Sequence, residues 1–392
     1  MLARFLHIED AGRQRSLIAA ILCATLCGCG FSLLMPVMSL NLEAMTGSGK
    51  IVGLFGAIAA LSTVIAGPFA PRLMARIPGR RLIVLALILT AISHPLFPLI
   101  PNVYAWFLIR FVSGLAITIV FVSSETWINQ IAPPERRATI LGLYATALAS
   151  GFGMGGLLLA VVGSDGWLPW IAGTLLFVIG AIPIAFLKGP DIAPPDPAHT
   201  TLRAMWGAAL FAPAAIGAGV LFGATEQSFF AVFPVYGERI GLFDAQIGFM
   251  MAAGALGGIA LQAMLGRIAD HVGRLRVAFF ATLICVIGPV FIYFAGSNAL
   301  ALYAVMFFYV GVATGLYTLG LALIGERFNG GSLAAANAAF VTAYGVGSLV
   351  GPTLGGAAMD VVDPQGLLIV TSGFALVYLA FLGVRHITRR AS

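Results

Sequence analysis

The sequence predicts an all-α membrane protein with twelve transmembrane helices in two pseudo-symmetric six-helix bundles. Three observations favour this fold class: the apolar composition, the number of long apolar stretches, and an internal repeat. Of the 392 residues, 60% are hydrophobic and 9% are charged, and the mean hydropathy is +1.01. Because such a chain cannot bury its apolar surface inside one water-soluble globule, it needs lipid as part of its solvent.

Twelve apolar stretches are long enough to cross a bilayer, whose hydrocarbon takes roughly 20 residues of α-helix. Only helices and closed barrels satisfy all backbone polar groups in lipid, and the alternating pattern of outer-membrane barrels is absent. The first stretch follows Arg13 and Arg15, but its length and the lack of a cleavage site predict a retained helix. The stretches, numbered segments 1 to 12, are residues 16–40, 51–74, 82–99, 103–131, 138–162, 167–187, 202–236, 245–268, 277–295, 299–326, 333–359 and 366–385.

The basic residues predict the orientation of these segments. With a cytoplasmic N-terminus, all 21 Lys and Arg residues fall on the cytoplasmic side except Lys50, Arg239 and the intrahelical Arg110. This bias indicates a multi-pass protein of the bacterial inner membrane with both termini in the cytoplasm. The net charge of +6 then reflects orientation, and it predicts no nucleic-acid partner.

A polar, Pro-rich stretch at residues 188–201 divides the segments into two sets of six. It is expected neither to span the membrane nor to pack, so it predicts an N-terminal bundle at 1–187 and a C-terminal bundle at 202–392. The two halves also share a repeat, which indicates a duplicated ancestral unit. Three pairs of residues lie 201 positions apart: Gly114 and Gly315, Glu125 and Glu326, and Gly155 and Gly356.

The loop between segments 8 and 9 carries the most specific motif. It reads Gly266-Arg-Ile-Ala-Asp270-His-Val-Gly273-Arg274-Leu-Arg276, and it resembles the signature G-x-x-x-D-x-x-G-R-x-R/K of the major facilitator superfamily. The equivalent loop of the first half keeps Gly79 and Arg80, but it places Arg76 where the acid belongs. The resemblance implies two parallel six-helix repeats around a central path, and transport by alternating access.

Two further elements resemble those of drug:proton antiporters in this superfamily. Segment 4 carries the R-x-x-x-G element from Arg110 to Gly114. Segment 11 carries a G-x-x-x-G-P-x-x-G-G element that starts at Gly347, although antiporters have it in segment 5. The arrangement looks most similar to bacterial YcaD-type members. The glycines of the segment 11 element, at small-x-x-x-small spacing, are interpreted as helix-packing positions.

Four charged residues lie well inside predicted spans, where a charge is costly and therefore points to function. They are Arg110 and Glu125 in segment 4, Glu226 in segment 7 and Glu326 in segment 10. The resemblance implies that segments 1, 4, 7 and 10 line the central cavity. We expect Glu226 to bind the coupling proton, with Arg110 as its competing partner or as an anchor for an anionic substrate; the alternative is a static ion pair.

Glu125 and Glu326 occupy matching positions near the cytoplasmic ends of their segments, which suggests an inner gate. Arg136, Arg137 and Arg327 are candidate partners for these acids, and the alternative is that both are solvated helix ends. Asp270 is expected to meet the start of segment 5, where the helix dipole favours an anion. Alternatively, the signature loop only fixes topology.

The candidate substrate residues are mostly aromatic, which suits a small amphipathic organic solute better than a sugar. The interpretation that follows is a proton-coupled secondary transporter, with export as an antiporter favoured over uptake. We expect no cofactor beyond the proton gradient, a small-molecule substrate and the lipid bilayer as partners, and a monomer. The candidate cavity residues are Phe31, Phe121, Trp127, Gln227, Phe230, Tyr317 and Tyr344.

Rival functions have weaker support. Cys23, Cys27, Met35 and Met38 in segment 1 offer soft sulfur ligands that suit Cu(I), so copper or another soft metal is the second hypothesis. Catalysis is not expected, because the five histidines show no metal-ligand or triad spacing and no phosphate-binding G-x-x-x-x-G-K-S/T loop is present. A membrane receptor or scaffold that transports nothing is the hypothesis from another class.

Overall fold

The computed structural model describes residues 10–133, 136–186, 191–192, 202–328 and 330–391. These residues form fourteen α-helices and contain no β-strand. The helices are α1 Ala11–Thr46, α2 Gly49–Met74, α3 Gly79–Leu99, α4 Val103–Ile131, α5 Arg137–Val162, α6 Leu168–Ala185, α7 Leu202–Phe211, α8 Pro213–Ala231, α9 Phe233–Arg239, α10 Asp244–Val272, α11 Arg274–Ala295, α12 Ala299–Gly325, α13 Gly330–Val361 and α14 Gly366–Ala391.

Eleven of the described helices are long and apolar enough to cross a membrane, and α8 with α9 adds a twelfth span if this pair, bent by 49°, is counted as one. This confirms the predicted fold class. The prediction of one continuous helix over residues 202–236 is wrong, since this segment forms α7, α8 and α9. Proline explains both breaks: Pro213 starts α8, and Pro234 has no N–H to donate to the carbonyl of Phe230.

The contacts divide the chain into two compact units. Unit 1 contains Met1–Val37 and Leu61–Pro197, and unit 2 contains Met38–Ala60 and Ala198–Ser392. The end of α1 and the start of α2 therefore pack with the C-terminal helices, although they precede the linker in sequence. The predicted bundles at 1–187 and 202–392 stay a prediction.

Unit 1 is organised around α3, which packs against α4 and α6. The aromatic side chains of Phe97, Trp106 and Trp170 are buried where these helices meet, with ring centroids 5.1 Å apart for Phe97–Trp106 and 5.6 Å apart for Phe97–Trp170. The indole N–H of Trp106 donates to the carbonyl oxygens of Phe97 and Ile100, both at 2.9 Å. This anchors the chain between α3 and α4 at the N-terminus of α4, which carries Arg110 and Glu125.

The linker also belongs to unit 1, in the two residues of it that the structure describes. Ile192 is buried and packs against Gly79 at the start of α3, while Asp191 accepts a 2.9 Å hydrogen bond from the backbone N–H of Arg80. The expectation that the linker does not pack is therefore wrong at these residues. An apolar side chain gains by burial, and a carboxylate is stabilised at a helix N-terminus.

In unit 2, α8 packs closely against α13, and α10 packs against α12. The glycines of α13 allow this approach: a Cβ on Gly347 would overlap the carbonyl oxygen of Val220, and one on Gly351 would lie 2.5 Å from the Cα of Ala224. On the other helix, a Cβ on Gly223 would overlap the carbonyl oxygen of Tyr344. The predicted packing role of Gly347 and Gly351 is confirmed, and it brings Glu226 of α8 next to α13.

Candidate functional site

Glu226 lies on α8 in unit 2, and its closest polar partner is on α13. The phenol O–H of Tyr344 donates to Oε2 of Glu226 at 2.7 Å. Both side chains are half-buried. The structure thus joins two residues that the sequence marked separately, one as a proton carrier and one as a cavity residue.

An aromatic cluster surrounds this contact. It consists of Phe222, Tyr317, Phe340 and Tyr344, and its ring centroids are 5.3 Å apart for Phe222–Tyr317, 5.6 Å for Phe222–Tyr344 and 5.3 Å for Tyr317–Phe340. Phe222 and Phe340 are absent from the predicted cavity set. The signal for Phe222 was its position one helical turn before Glu226, because residues at i and i+4 share a helix face. Phe222 and Phe340 are buried, whereas Tyr317 and Tyr344 are half-buried, so the two tyrosine rings are the partly exposed aromatic surface beside the carboxylate.

Gln227 and Phe230 of α8 make different contacts. The side-chain amide of Gln227 donates to the backbone oxygen of Gly56 on α2 at 2.9 Å, and Phe230 packs edge-on against Phe229 with centroids 5.1 Å apart. Both residues are buried. Their described partners belong to helix packing within unit 2, and their predicted role in substrate binding stays a prediction.

In unit 1, Arg110 of α4 is buried, with 4% of the residue exposed. Its Nη2 donates to the sulfur of Met35 on α1 at 3.0 Å, and its guanidinium carbon lies 5.6 Å from the ring centroid of Phe31. Phe31 in turn packs against Phe152, with centroids 6.0 Å apart. Each of these two contacts is weaker than an ion pair between a guanidinium and a carboxylate. The predicted pair of Arg110 with Glu226 joins the two units and stays a prediction.

The remaining predicted residues of α4 differ in exposure. Phe121 is half-buried, Glu125 is exposed and Trp127 is fully buried. Within the part of the chain that the structure describes, no Lys, Arg or His lies within salt-bridge distance of Glu125. Its role in an inner gate stays a prediction, and Trp127 sits in the packed interior of unit 1.

The signature loop of the second half forms a charge cluster centred on Arg274. Its guanidinium lies 3.2 Å from Glu326 and 3.7 Å from Asp270, and it donates to the backbone oxygen of Ala322 at 2.6 Å. Arg327, one of the predicted partners of Glu326, instead donates to the backbone oxygen of Phe211 at 2.8 Å. The motif therefore ties the α10–α11 loop to the end of α12.

The two glycines of this motif differ in whether the structure requires a glycine at their positions. Gly273 is the residue before α11 and has a φ of 102°, a conformation that side-chain-bearing residues rarely adopt. Gly266 faces open space, so nothing around it requires a glycine. Arg276 is exposed in the first turn of α11. The predicted contact of Asp270 with segment 5 would join the two units and stays a prediction.

In the loop of the first half, which lacks the acid of the motif, the arginine pairs with an acid from elsewhere in the chain. Arg76 is exposed, and Arg80, the counterpart of Arg274, lies 3.7 Å from the carboxylate of Asp191 in the linker. The carboxylate that Arg76 displaces from the motif is thus supplied by a residue more than 100 positions later in the chain. Nothing in the sequence of the polar, Pro-rich linker predicted this pairing.

A second charge cluster, the Arg239 network, lies at the predicted external end of unit 2. Arg239 closes α9, and its guanidinium contacts Glu43 at 2.6 Å, Asp363 at 2.8 Å and Asp360 at 3.3 Å. The side chains of Arg239 and Glu43 are only 14% and 12% exposed. The network therefore fastens the end of α1 to α9 and to the end of α13.

Asp360 of this network also binds the N-terminus of α2. Its carboxylate accepts hydrogen bonds from the N–H of Gly49 at 2.6 Å, the N–H of Lys50 at 3.0 Å and the hydroxyl of Ser48 at 2.7 Å. First-turn N–H groups have no intrahelical partner, so a carboxylate there is stabilised both by the hydrogen bonds that it accepts and by the helix dipole. This site was not predicted; the signal in the sequence was that these acids all lie at ends of segments on the external side.

Of the four candidate sulfur ligands in α1, Cys23 and Cys27 lie side by side. The thiols of Cys23 and Cys27 are 4.0 Å apart and both are buried. Met35 accepts the hydrogen bond from Arg110, while Met38 belongs to unit 2. Across the described residues, no group of three or more His, Cys, Asp or Glu side chains is arranged to hold a metal ion.

Comparison with known families settles the class of protein. The family model of the Major Facilitator Superfamily matches residues 20–245 and 243–392. The chain belongs to the major facilitator superfamily. It is therefore a multi-pass membrane transporter with a small-molecule substrate, and the predicted family is confirmed.

Relatives and solved structures agree with this assignment. The MFS-type transporter YfkF of Bacillus subtilis (strain 168) is 26% identical over 369 residues, which cover 92% of this chain and 93% of YfkF. The MFS-type transporter YcaD of Shigella flexneri serotype 5b (strain 8401) is 28% identical over 285 residues, 71% of this chain and 72% of its own. Both are described as uncharacterised, so neither supplies a substrate.

Two crystal structures share the fold at low identity. The nucleoside transporter NupG has a TM-score of 0.75 at 14% identity and covers 96% of this chain and 99% of its own. A D-xylose-proton symporter has a TM-score of 0.70 at 16% identity, with coverages of 93% and 97%. At these identities the likeness concerns the fold alone.

Proposed function

We propose that the protein is a proton-coupled secondary transporter of the bacterial inner membrane that exports a small amphipathic organic solute by alternating access. The observation that carries this proposal is the hydrogen bond between Tyr344 and Glu226 within the aromatic cluster of unit 2. It brings one titratable group together with the half-buried rings of Tyr317 and Tyr344. A coupled transporter needs both, one for the proton and one for the solute.

The carboxyl group of Glu226 is suited to carry a proton. A neutral carboxylic acid costs much less free energy to bury than a carboxylate, so such a group in a membrane span gains or loses its proton as its surroundings change. Tyr344 donates to the ionised form, and it can accept from the protonated form, because a phenol has both capacities. Movement of α13 relative to α8 would then alter proton affinity.

Alternating access requires a contact that can be made and released, and the Arg239 network fits this requirement. It joins residues 38–60, which precede the linker, to helices α9 and α13, which follow it. The contact consists of partly exposed ion pairs and hydrogen bonds, which water can replace when they separate. We propose that its release opens the external end of the transport path.

Replacing Glu226 with Gln should abolish proton-driven accumulation while leaving downhill flux of the solute. The amide keeps the shape and the hydrogen bond but cannot exchange a proton. One pH unit is worth about 1.4 kcal/mol, so an exchange of one proton for one solute supports at most about a tenfold gradient. A thermal-shift ligand screen at two pH values would supply the solute, and flux in proteoliposomes with a one-unit pH difference would measure the gradient.

Asp165, an exposed carboxylate in the loop before α6, provides the control. The Asp165→Asn variant should keep the full proton-driven gradient. A Glu226→Gln variant that still reaches the wild-type gradient would refute the proton-carrier role. Solute flux that ignores the pH difference in the wild type would refute proton coupling altogether.

Replacing Tyr317 with Leu should weaken solute binding without uncoupling transport. An aromatic pair contributes about 0.5–1.5 kcal/mol beyond its buried area, so we expect roughly a fivefold rise in the solute concentration for half-maximal flux. Tyr303 is a matched control, since it is also half-buried on α12 and lies 6.2 Å from the ring of Phe249. Equal effects of Tyr317→Leu and Tyr303→Leu on half-saturation would rule out a solute contact at the aromatic cluster.

A further inference from the structure

A cavity lies at the predicted cytoplasmic end of unit 2, and none of the four residues of the aromatic cluster lines it. Its volume is about 540 Å³, and three parts of the chain line it: the break between α7 and α8, the loop between α10 and α11, and the end of α12. This volume is within the range of pockets that bind small organic molecules. Nothing in the proposed transport cycle uses it.

The cavity is strongly basic. Arg274, Arg276 and Arg327 line it, and Glu326 is its only acidic lining residue among the described positions. Glu326 pairs with Arg274 at 3.2 Å. Within the described chain, Arg276 and Arg327 have no acidic side chain within 4.0 Å. Two guanidinium groups therefore face this space without a counter-charge.

Backbone groups add to the positive potential of the same space. Helices α8 and α11 both begin at the cavity wall, and neither N-terminus is capped by a side chain. In the described structure, the first-turn N–H groups of Ala214, Ala215 and Leu275 have no acceptor. Such groups favour an anion, and they supplement the arginines.

We propose that this cavity binds a phosphate-bearing anion, held by the guanidinium groups of Arg274, Arg276 and Arg327. The planar, five-donor guanidinium matches phosphate oxygens in bidentate geometry, which favours phosphate over a simple halide. The volume leaves room for an organic group attached to the phosphate. Both a soluble organic phosphate and the headgroup of an anionic lipid carry this chemistry.

Glu326 acts as an internal competitor in this site. Its carboxylate occupies Arg274 in the structure, so a phosphate that takes the full set of arginines must displace it. Ligand binding would then loosen the tie between the signature loop and the end of α12. The site therefore links an anion on the predicted cytoplasmic side to the loop that carries Asp270 and Arg274.

Because Glu326 competes with the ligand for Arg274, two substitutions should change the affinity for the ligand in opposite directions. Arg327→Gln removes a donor, and one charge-assisted hydrogen bond corresponds to about tenfold in affinity. Glu326→Gln removes the competing charge and should strengthen binding severalfold. Arg276→Gln is a second loss variant in case Arg327→Gln does not fold. Arg267→Gln changes an exposed arginine of α10 outside the cavity lining and should leave binding unchanged.

The measurement is a titration of the full-length protein in uncharged detergent, followed by thermal unfolding. One arm uses inorganic phosphate and glycerol 3-phosphate, with chloride at matched ionic strength. The other arm uses mixed micelles with phosphatidylglycerol, compared with phosphatidylcholine. Saturable stabilisation in the first arm identifies a soluble phosphate, and stabilisation in the second arm alone identifies a lipid headgroup; in either case the variants must follow the stated order. No saturable binding in either arm, or equal losses for Arg267→Gln and Arg327→Gln, overturns the proposal.

Discussion

Replacing Arg239 with Gln should release the external end of α1 and α2 from the C-terminal helices of unit 2. The substitution leaves the carboxylates of Glu43 and Asp360 without their guanidinium, in positions where Glu43 is only 12% exposed. Loss of one partner of a buried pair costs about 3–5 kcal/mol, and partial exposure here reduces this to about 2 kcal/mol. The closed contact should therefore weaken by a factor of about 30.

Cysteine labelling would measure this release. Ala57 is 7% exposed and lies one turn beyond Gly53 on the same face of α2, and a Cβ on Gly53 would overlap the carbonyl oxygen of Pro352. In a background without the native cysteines, Ala57→Cys should react slowly with an impermeant maleimide, and Arg239→Gln should speed the reaction by about the same factor of 30.

Two variants test whether the effect belongs to the network. Arg239→Lys keeps the charge but loses the two-pronged contact with Glu43, so labelling should rise less. Adding Glu43→Gln to Arg239→Gln should slow the labelling again in part, because it removes the uncompensated carboxylate that the first substitution leaves behind. Unchanged labelling in Arg239→Gln would mean that these ion pairs do not hold the contact.

Replacing Gly347 with Ala should strongly destabilise unit 2. The added Cβ would overlap the carbonyl oxygen of Val220, a backbone atom that cannot rotate away. Overpacking a well-packed interior costs about 1–3 kcal/mol, and we expect the upper end because two helices must separate. Thermal unfolding followed by a thiol-reactive dye would measure this, since Cys285 of unit 2 is buried until the fold opens.

Gly373→Ala is the matched control on α14. A Cβ at Gly373 has no atom within 4 Å. Alanine favours the helix over glycine by roughly 1 kcal/mol, so this variant should unfold at the same or a slightly higher temperature. If both alanine variants melt alike, close packing at Gly347 is not what stabilises α13 on α8.

Much of the fold could be predicted because lipid imposes a length and a composition on every span. The predicted helix ends were less accurate: segment 1 was predicted as 16–40, but α1 extends over Ala11–Thr46, because a helix can continue past the apolar stretch into polar residues. Segment 7 was predicted as one helix. Its breaks at Pro213 and Pro234 depend on backbone geometry that an apolar count does not register.

The site was predictable as a set of residue types and not as a set of contacts. Burial cost singled out Arg110 and Glu226, but it did not reveal that Tyr344, 118 residues later in the chain, donates to Glu226. The Arg239 network joins Glu43 to a residue 196 positions away. Such pairs depend on which helix ends meet, and no local pattern in one sequence records that.

The division of α1 between the two units indicates that Pro36 is the point at which this helix bends most readily. The helix belongs to unit 1 as far as Val37 and to unit 2 from Met38, and Pro36 lies at this junction without an N–H for the carbonyl of Ser32. A helix that lacks one backbone hydrogen bond, here in its C-terminal third, bends at that point at less cost than elsewhere. Any motion that frees the outer part of α1 from its C-terminal neighbours would then concentrate its flexure within a single turn, and the inner part could stay in place as a fixed support.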